Sequence, residues 1–212
     1  EPIITFVIFL AVSAFIVFRG VNKGIESTSK IIMPILLVMI LGIAIFSLTL
    51  KNTNDAGEVV TGLQGFKIYI VPNCEGLTIG KLFTVLIDAL GQLFFSLSVA
   101  MGIMITYGSY VKDDANLGKS INQIEIFDTV VAFLAGAMII PAVYAFMGTD
   151  GMSSGPSLMF VSLPKVFAAM GVAGNIIGTI FFAMVLFAAI TSAVSVMEAV
   201  VSCIMDAFHT SR

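Results

Sequence analysis

The sequence is short of charge, of histidine and of cysteine, and each shortage removes a class of protein. Only 11% of its 212 residues are Asp, Glu, Lys or Arg, against 58% hydrophobic. A water-soluble fold must clothe its surface in polar groups, so this balance excludes one. A mean hydropathy of +1.09 points the same way. The ten basic residues form no basic or aromatic-interleaved stretch, which leaves nothing to grip a nucleic-acid backbone. The one histidine, His209, sits at the far end of the chain. No Gly-x-Ser-Gly or Gly-x-Gly-Asp element falls in an apolar run, and neither Cys74 nor Cys203 has a neighbouring base. The residue patterns on which membrane enzymes depend are therefore missing. Two cysteines are too few for a disulfide framework, and both are expected as free thiols or bonded elsewhere.

What the chain has is long uncharged apolar blocks. Five of them, about residues 2–18, 31–50, 86–110, 129–147 and 175–205, come close to or exceed the ~20 residues that carry a helix across ~30 Å of hydrocarbon. The sequence therefore predicts an all-α membrane protein with five crossings in a single transmembrane region, residues 1–212, facing the lipid bilayer. The last block begins near Val166 and has a natural break at Gly171–Gly174. The first lacks the basic leader and small-residue cleavage site of a signal peptide, which reads Glu1 as a cut rather than a start.

Arg19, Lys23 and Lys30 crowd the short joint between the first two blocks, which predicts that this joint is cytoplasmic. Alternation then puts about residues 51–85 and 148–174 outside, and Cys74 and Cys203 on opposite sides of the membrane.

Several residues disfavour plain anchoring helices: Gly91, Gly102 and Gly108 in the third block, Gly136 and Pro141 in the fourth, Pro34 in the second. Backbone groups freed inside a bilayer need partners, so irregular backbone there must be buried in protein or line a wet cavity. Close helix packing through small residues is the competing reading. The third block reads Asp88-Ala-Leu-Gly-Gln-Leu-Phe-Phe-Ser-Leu-Ser-Val-Ala-Met-Gly-Ile-Met-Ile-Thr-Tyr-Gly-Ser-Tyr110, with Gln92, Ser96 and Ser98 clustered just before small residues. A helix unwound near Ser98–Gly102 would aim carbonyls and hydroxyls into a cavity, as broken helices do at transporter midplanes.

That stretch resembles the sixth transmembrane helix of the neurotransmitter:sodium symporter family. Arg19-Gly-Val-Asn-Lys-Gly-Ile-Glu26 followed by Lys30-Ile-Ile-Met-Pro34 is similar to the family's junction of helices four and five. Gly155-Pro156 through Phe167 is similar to its extracellular loop between helices seven and eight. The resemblance spans the whole chain. It implies helices four to eight of a LeuT-type inverted-repeat bundle, with the third span broken near Ser98–Gly102 and the remaining helices of the same protein as partners.

The resemblance also implies roles. Sodium prefers oxygen ligands. One sodium site would take Ser96 and Asp128, and another the carbonyl of Ala188 with the hydroxyls of Thr191 and Ser192. Back-bonding of those hydroxyls to the preceding turn is the plain alternative. For Asp128 the plain alternative is a helix cap before Thr129. Many relatives place Asn at that position and hold a chloride nearby, partly through a Ser at position 132; here the residues are Asp128 and Ala132. A fixed carboxylate can supply the charge that chloride would bring, so chloride-independent transport is expected. Phe95, Ser98, Met101, Ser192 and Val196 would contact substrate, with Phe95 as a lid. The adaptable thioether of Met101 suggests a hydrophobic amino acid. Gly24, Pro34, Gln92, Tyr110 and Asp206 would serve gating, with Gly24 and Pro34 letting the start of the family's helix five unwind.

The implied function is a sodium-coupled symporter that imports amino acids by alternating access, in the cell (inner) membrane. It requires no cofactor beyond the co-transported sodium. A non-transporting scaffold that shares the fold is the alternative.

Overall fold

The computed structural model describes residues 2–53, 58–72, 76–112, 114–152 and 158–210. Helix dominates because hydrocarbon offers no partner to a peptide group, so each N–H and C=O must be satisfied inside its own segment. That constraint overrides the weak helix propensity of the many Ile, Val and Phe residues. Helix α1 spans Pro2–Phe18, and a π-helical turn, Val21–Glu26, leads into α2, Ser27–Thr49. Antiparallel strands β1, Lys51–Thr53, and β2, Val59–Thr61, pair Lys51 with Thr61 and Thr53 with Val59. Then follow α3, Gly62–Ile70; α4, Ile79–Ser96; α5, Ile103–Ser109; α6, Leu117–Met152; a second π-helical turn, Leu158–Ser162; α7, Leu163–Ala169; and α8, Val172–Phe208. Among the described residues four helices are long and apolar enough to cross a membrane: Lys23–Thr49, Ile79–Ser96, Leu117–Thr149 and Val172–Phe208. Helix α1 has 17 residues, at the lower edge of a spanning length.

Several boundaries differ from those expected, and local chemistry explains each. The segment 51–85, expected as a loop, holds the hairpin, α3 and the first turns of α4. Thr61 caps α3 with its side chain on the Gln64 N–H, while Gln64 reaches back to the Thr61 N–H, a reciprocal capping box. Thr78 accepts from the Lys81 N–H and starts α4 ahead of residue 86. Helix α6 begins at Leu117 rather than 129, because Asn116 Oδ1 accepts from the Lys119 N–H at 3.0 Å. It kinks at Gly148, where φ is 65° and ψ −160°. Gly171, at φ 63°, separates α7 from α8.

The chain sorts into two compact units. The first comprises residues 1–34, 76–128 and 186–212. Its core gathers Val17, Ile25 and Val194, with Ile16, Tyr107, Ile190, Met197 and Val201 packed around them. Gly24 is required here: a Cβ would overlap the Ile16 carbonyl oxygen. The wide turn is seen in the bonds of Gly24 N–H and Ile25 N–H to the same Gly20 carbonyl, at 2.9 and 3.2 Å.

The second unit comprises residues 35–75 and 129–185. Phe167, Phe181 and Phe182 pack in tilted and edge-to-face contacts with centroids 5.3 to 6.4 Å apart. Tyr69 lies against the Phe133 ring at 5.5 Å and donates to the Phe133 carbonyl at 3.4 Å. It fills the space that a side chain at Gly136 would need. Close packing through a small residue, and not a cavity, therefore accounts for Gly136.

Candidate functional site

The third span is broken where the polar and small residues cluster. Helix α4 ends at Ser96 and α5 restarts at Ile103. Between them Ser98 (φ 55°), Ala100 (φ 67°) and Gly102 (φ 77°) take left-handed backbone. Two of the three carry a Cβ, for which this region costs about 1–2 kcal/mol per residue. Strain of this kind persists only when surrounding structure over-determines it, and it clusters at functional sites.

Ser96, the last residue of α4, donates its hydroxyl proton to Asp128 Oδ1 at 2.5 Å. Asp128 is half-buried and lies inside α6, well past its start at Leu117, so it caps no helix. Two of the oxygen-bearing residues that the resemblance assigned to one sodium site are thus in direct contact, although 32 residues apart in sequence.

On α8 the Thr191 hydroxyl donates to the Ala188 carbonyl at 2.9 Å. Back-bonding therefore does occur, and it places two oxygens expected around the second ion side by side. Ser192 is exposed beside them. Ser195 Oγ donates to the Thr191 carbonyl at 3.0 Å and lies 2.8 Å from the Tyr107 hydroxyl of α5. Because Ser195 has one proton and spends it on Thr191, Tyr107 is the donor in that pair.

Tyr110 follows one turn later and donates to Glu198 Oε1 at 2.7 Å. Glu198 is fully buried. Glu198 is not among the residues that the resemblance assigned to gating; of those, Asp206 is exposed near the end of α8. The signal was present: between Lys165 and Asp206, Glu198 is the only charged residue, and an ionisable group in an apolar span is a functional candidate by default.

The other assigned residues fall where the break and α8 put them. Phe95 is 67% exposed at the end of α4, and Met101 is 45% exposed in the break. Ser98 is half-buried there, Gln92 is exposed one turn before Ser96, and Val196 is exposed on α8. Gly24 lies in the first π-helical turn, and Pro34 sits inside α2. Cys203 is an exposed free thiol, while Cys74 lies outside the described residues, as do Gly155 and Pro156.

A helix that breaks within an apolar block and carries polar side chains at the break fits a polytopic membrane transporter rather than a simple anchor. The chain belongs to the sodium:neurotransmitter symporter family, which matches residues 2–212. That family consists of secondary transporters, not enzymes. The chain is 36% identical over 201 residues to YhdH, a sodium-dependent transporter of Bacillus subtilis, covering 93% of this chain and 40% of the relative. A sodium-dependent transporter of Haemophilus influenzae is 32% identical over 212 residues, covering 100% of this chain and 43% of that protein. The crystal structure of MhsT in complex with L-phenylalanine superposes with a TM-score of 0.78 at 37% identity, covering 97% of this chain and 43% of MhsT. The fold is that of a LeuT-type transporter, and the chain spans about two fifths of the length of these relatives.

Proposed function

We propose that the full-length protein is a sodium-coupled symporter that imports hydrophobic amino acids by alternating access, without chloride, in the cell (inner) membrane. The observation that carries this reading is the Ser96–Asp128 contact beside the broken span. A carboxylate and a hydroxyl held together at a helix break offer a hard cation two oxygens and a full negative charge. When sodium arrives, the Ser96 proton turns away and its lone pairs face the ion. Asp128 then supplies the charge that a chloride would otherwise bring, and Ala132 offers no hydroxyl to hold one. Ala188, Thr191 and Ser192 form the second sodium site. Phe95, Ser98, Met101, Ser192 and Val196 line the amino-acid site. Gly24, Pro34, Gln92, Tyr110 and Asp206 act in gating, with Glu198 as the partner of Tyr110. The phenylalanine bound to MhsT supports an apolar substrate, as does the flexible side chain of Met101.

Coupling on this reading is linkage: bound ions stabilise the substrate-receptive arrangement, and substrate tightens ion binding by the same factor. The test is uptake of a panel of amino acids by the full-length protein in vesicles, with sodium or choline outside and with chloride or gluconate as anion. Sodium-dependent uptake of apolar amino acids, equal in chloride and gluconate, is the expected result. Uptake that needs chloride would defeat the role given to Asp128, and uptake indifferent to sodium would defeat the reading altogether.

A further inference from the structure

We infer that Tyr107 is a positioning residue for the α8 sodium site, holding the ligand-bearing turn through Ser195; this rests on the assignment of Ala188, Thr191 and Ser192 to that site. Tyr107 lies on α5, beyond the break, and its hydroxyl meets Ser195 Oγ at 2.8 Å. Ser195 in turn donates to the Thr191 carbonyl at 3.0 Å, and the Thr191 hydroxyl donates to the Ala188 carbonyl at 2.9 Å. One hydrogen-bonded chain therefore runs from the half-helix beyond the break into the turn that presents the ion ligands.

The chemistry of the chain gives it a direction. A serine hydroxyl alone can swing among staggered rotamers, and its back-bond to a helical carbonyl bends the helix only while it is made. A tyrosine donating to that oxygen fixes the rotamer and polarises the O–H toward Thr191, since linked hydrogen bonds reinforce one another. Tyr107 is itself held, packed against the buried cluster of Val17, Ile25 and Val194. A second bond lies one turn further on, Tyr110 to Glu198 at 2.7 Å, so α5 and α8 are tied at two levels. The position of α5 thereby sets the local shape of α8 where Thr191 and Ala188 point their oxygens. Moving the half-helix changes sodium affinity on α8 without any contact between Tyr107 and the ion.

The test uses purified full-length protein and sodium itself as the probe. Melting temperature is followed as sodium replaces choline, and the midpoint of the rise gives the apparent affinity. Tyr107→Phe removes one oxygen and keeps the ring, and Ser195→Ala removes the relay. Each is expected to raise the sodium midpoint about fivefold, the worth of one neutral hydrogen bond, and the double variant is expected to add nothing to either single one. Melting in choline alone reports the structural role. A variant that melts lower in choline while keeping the wild-type sodium midpoint overturns the inference, as does a double variant whose shift is the sum of the singles. Thr191→Ala separates the two levels of the argument. If it weakens the sodium response and Tyr107→Phe does not, the inference alone fails. If neither variant changes the response, the assignment of the site fails and takes the inference with it.

Discussion

Replacing Asp128 by Asn removes a full charge and changes the shape of the side chain hardly at all, which makes it the sharpest perturbation of the proposed site. Two unit charges about 4 Å apart interact by about 4 kcal/mol at an effective dielectric of about 20, and by about 1 kcal/mol in bulk water. Asp128 is half-buried in this chain, so its attraction for a sodium ion falls between those limits. Converted at about 1.4 kcal/mol per decade, the loss for Asp128→Asn lies between about fivefold and about 700-fold in sodium affinity. The hydrogen bond that Ser96 makes at 2.5 Å also passes from a charged to a neutral acceptor, which lowers its worth by about half. The assay is the sodium midpoint of uptake by the full-length protein in vesicles, in chloride and in gluconate. The single variant should lose affinity in both anions. Adding Ala132→Ser supplies a hydroxyl for an anion, and the pair should regain affinity in chloride only. An Asp128→Asn protein with the wild-type sodium midpoint in gluconate would refute the reasoning, because the fixed carboxylate would then be contributing no charge to the ion.

Substitutions at three further positions probe the parts around the site. Gly24→Ala drives a methyl into the Ile16 carbonyl oxygen, and should cost about 3 kcal/mol or prevent accumulation of folded protein; a thermal melt of the purified protein reads it. Ala100→Gly relieves a left-handed residue at φ 67°, and after the entropic penalty of glycine should stabilise by about 0.5–1 kcal/mol, seen as a higher melting temperature. Glu198→Ala removes the carboxylate that accepts from the Tyr110 hydroxyl and opens a cavity, and should cost about 2–3 kcal/mol in chemical denaturation. Glu198→Gln keeps an acceptor and should stay within about 1 kcal/mol of wild type. Equal losses from the two would contradict the hydrogen-bonded role.

The break in the third span was legible because its cause is local: Ser96, Ser98 and Gly102 stand together in an apolar run, where polar and small residues have few other uses. The start of α6 was hidden because Lys119 and Glu125 interrupt the apolar pattern, although Asn116 caps the helix regardless. The hairpin and α3 were hidden for a related reason. Their strands are three residues each, too short to show alternation, and the Thr61–Gln64 capping box lies in a stretch rich in Gly and Asn. Gly136 read equally well as packing or as a break, and only its neighbour Tyr69, 67 residues away in sequence, decides for packing. The Ser96–Asp128 and Tyr110–Glu198 bonds join residues 32 and 88 positions apart. Periodicity does not reach that far, so the resemblance could name Ser96 and Asp128 as ligands of one ion, yet nothing in the pattern pointed to Glu198 as the partner of Tyr110.

The central claim is that an ion sits beside the break, between the Ser96 hydroxyl and the Asp128 carboxylate. Structures of the full-length protein determined in sodium and in choline test it most directly. The account predicts a difference peak between those two groups, with residues 97–102 non-helical in both. A continuous helix through Ser98–Gly102, or identical density at Asp128 in the two cations, would contradict it.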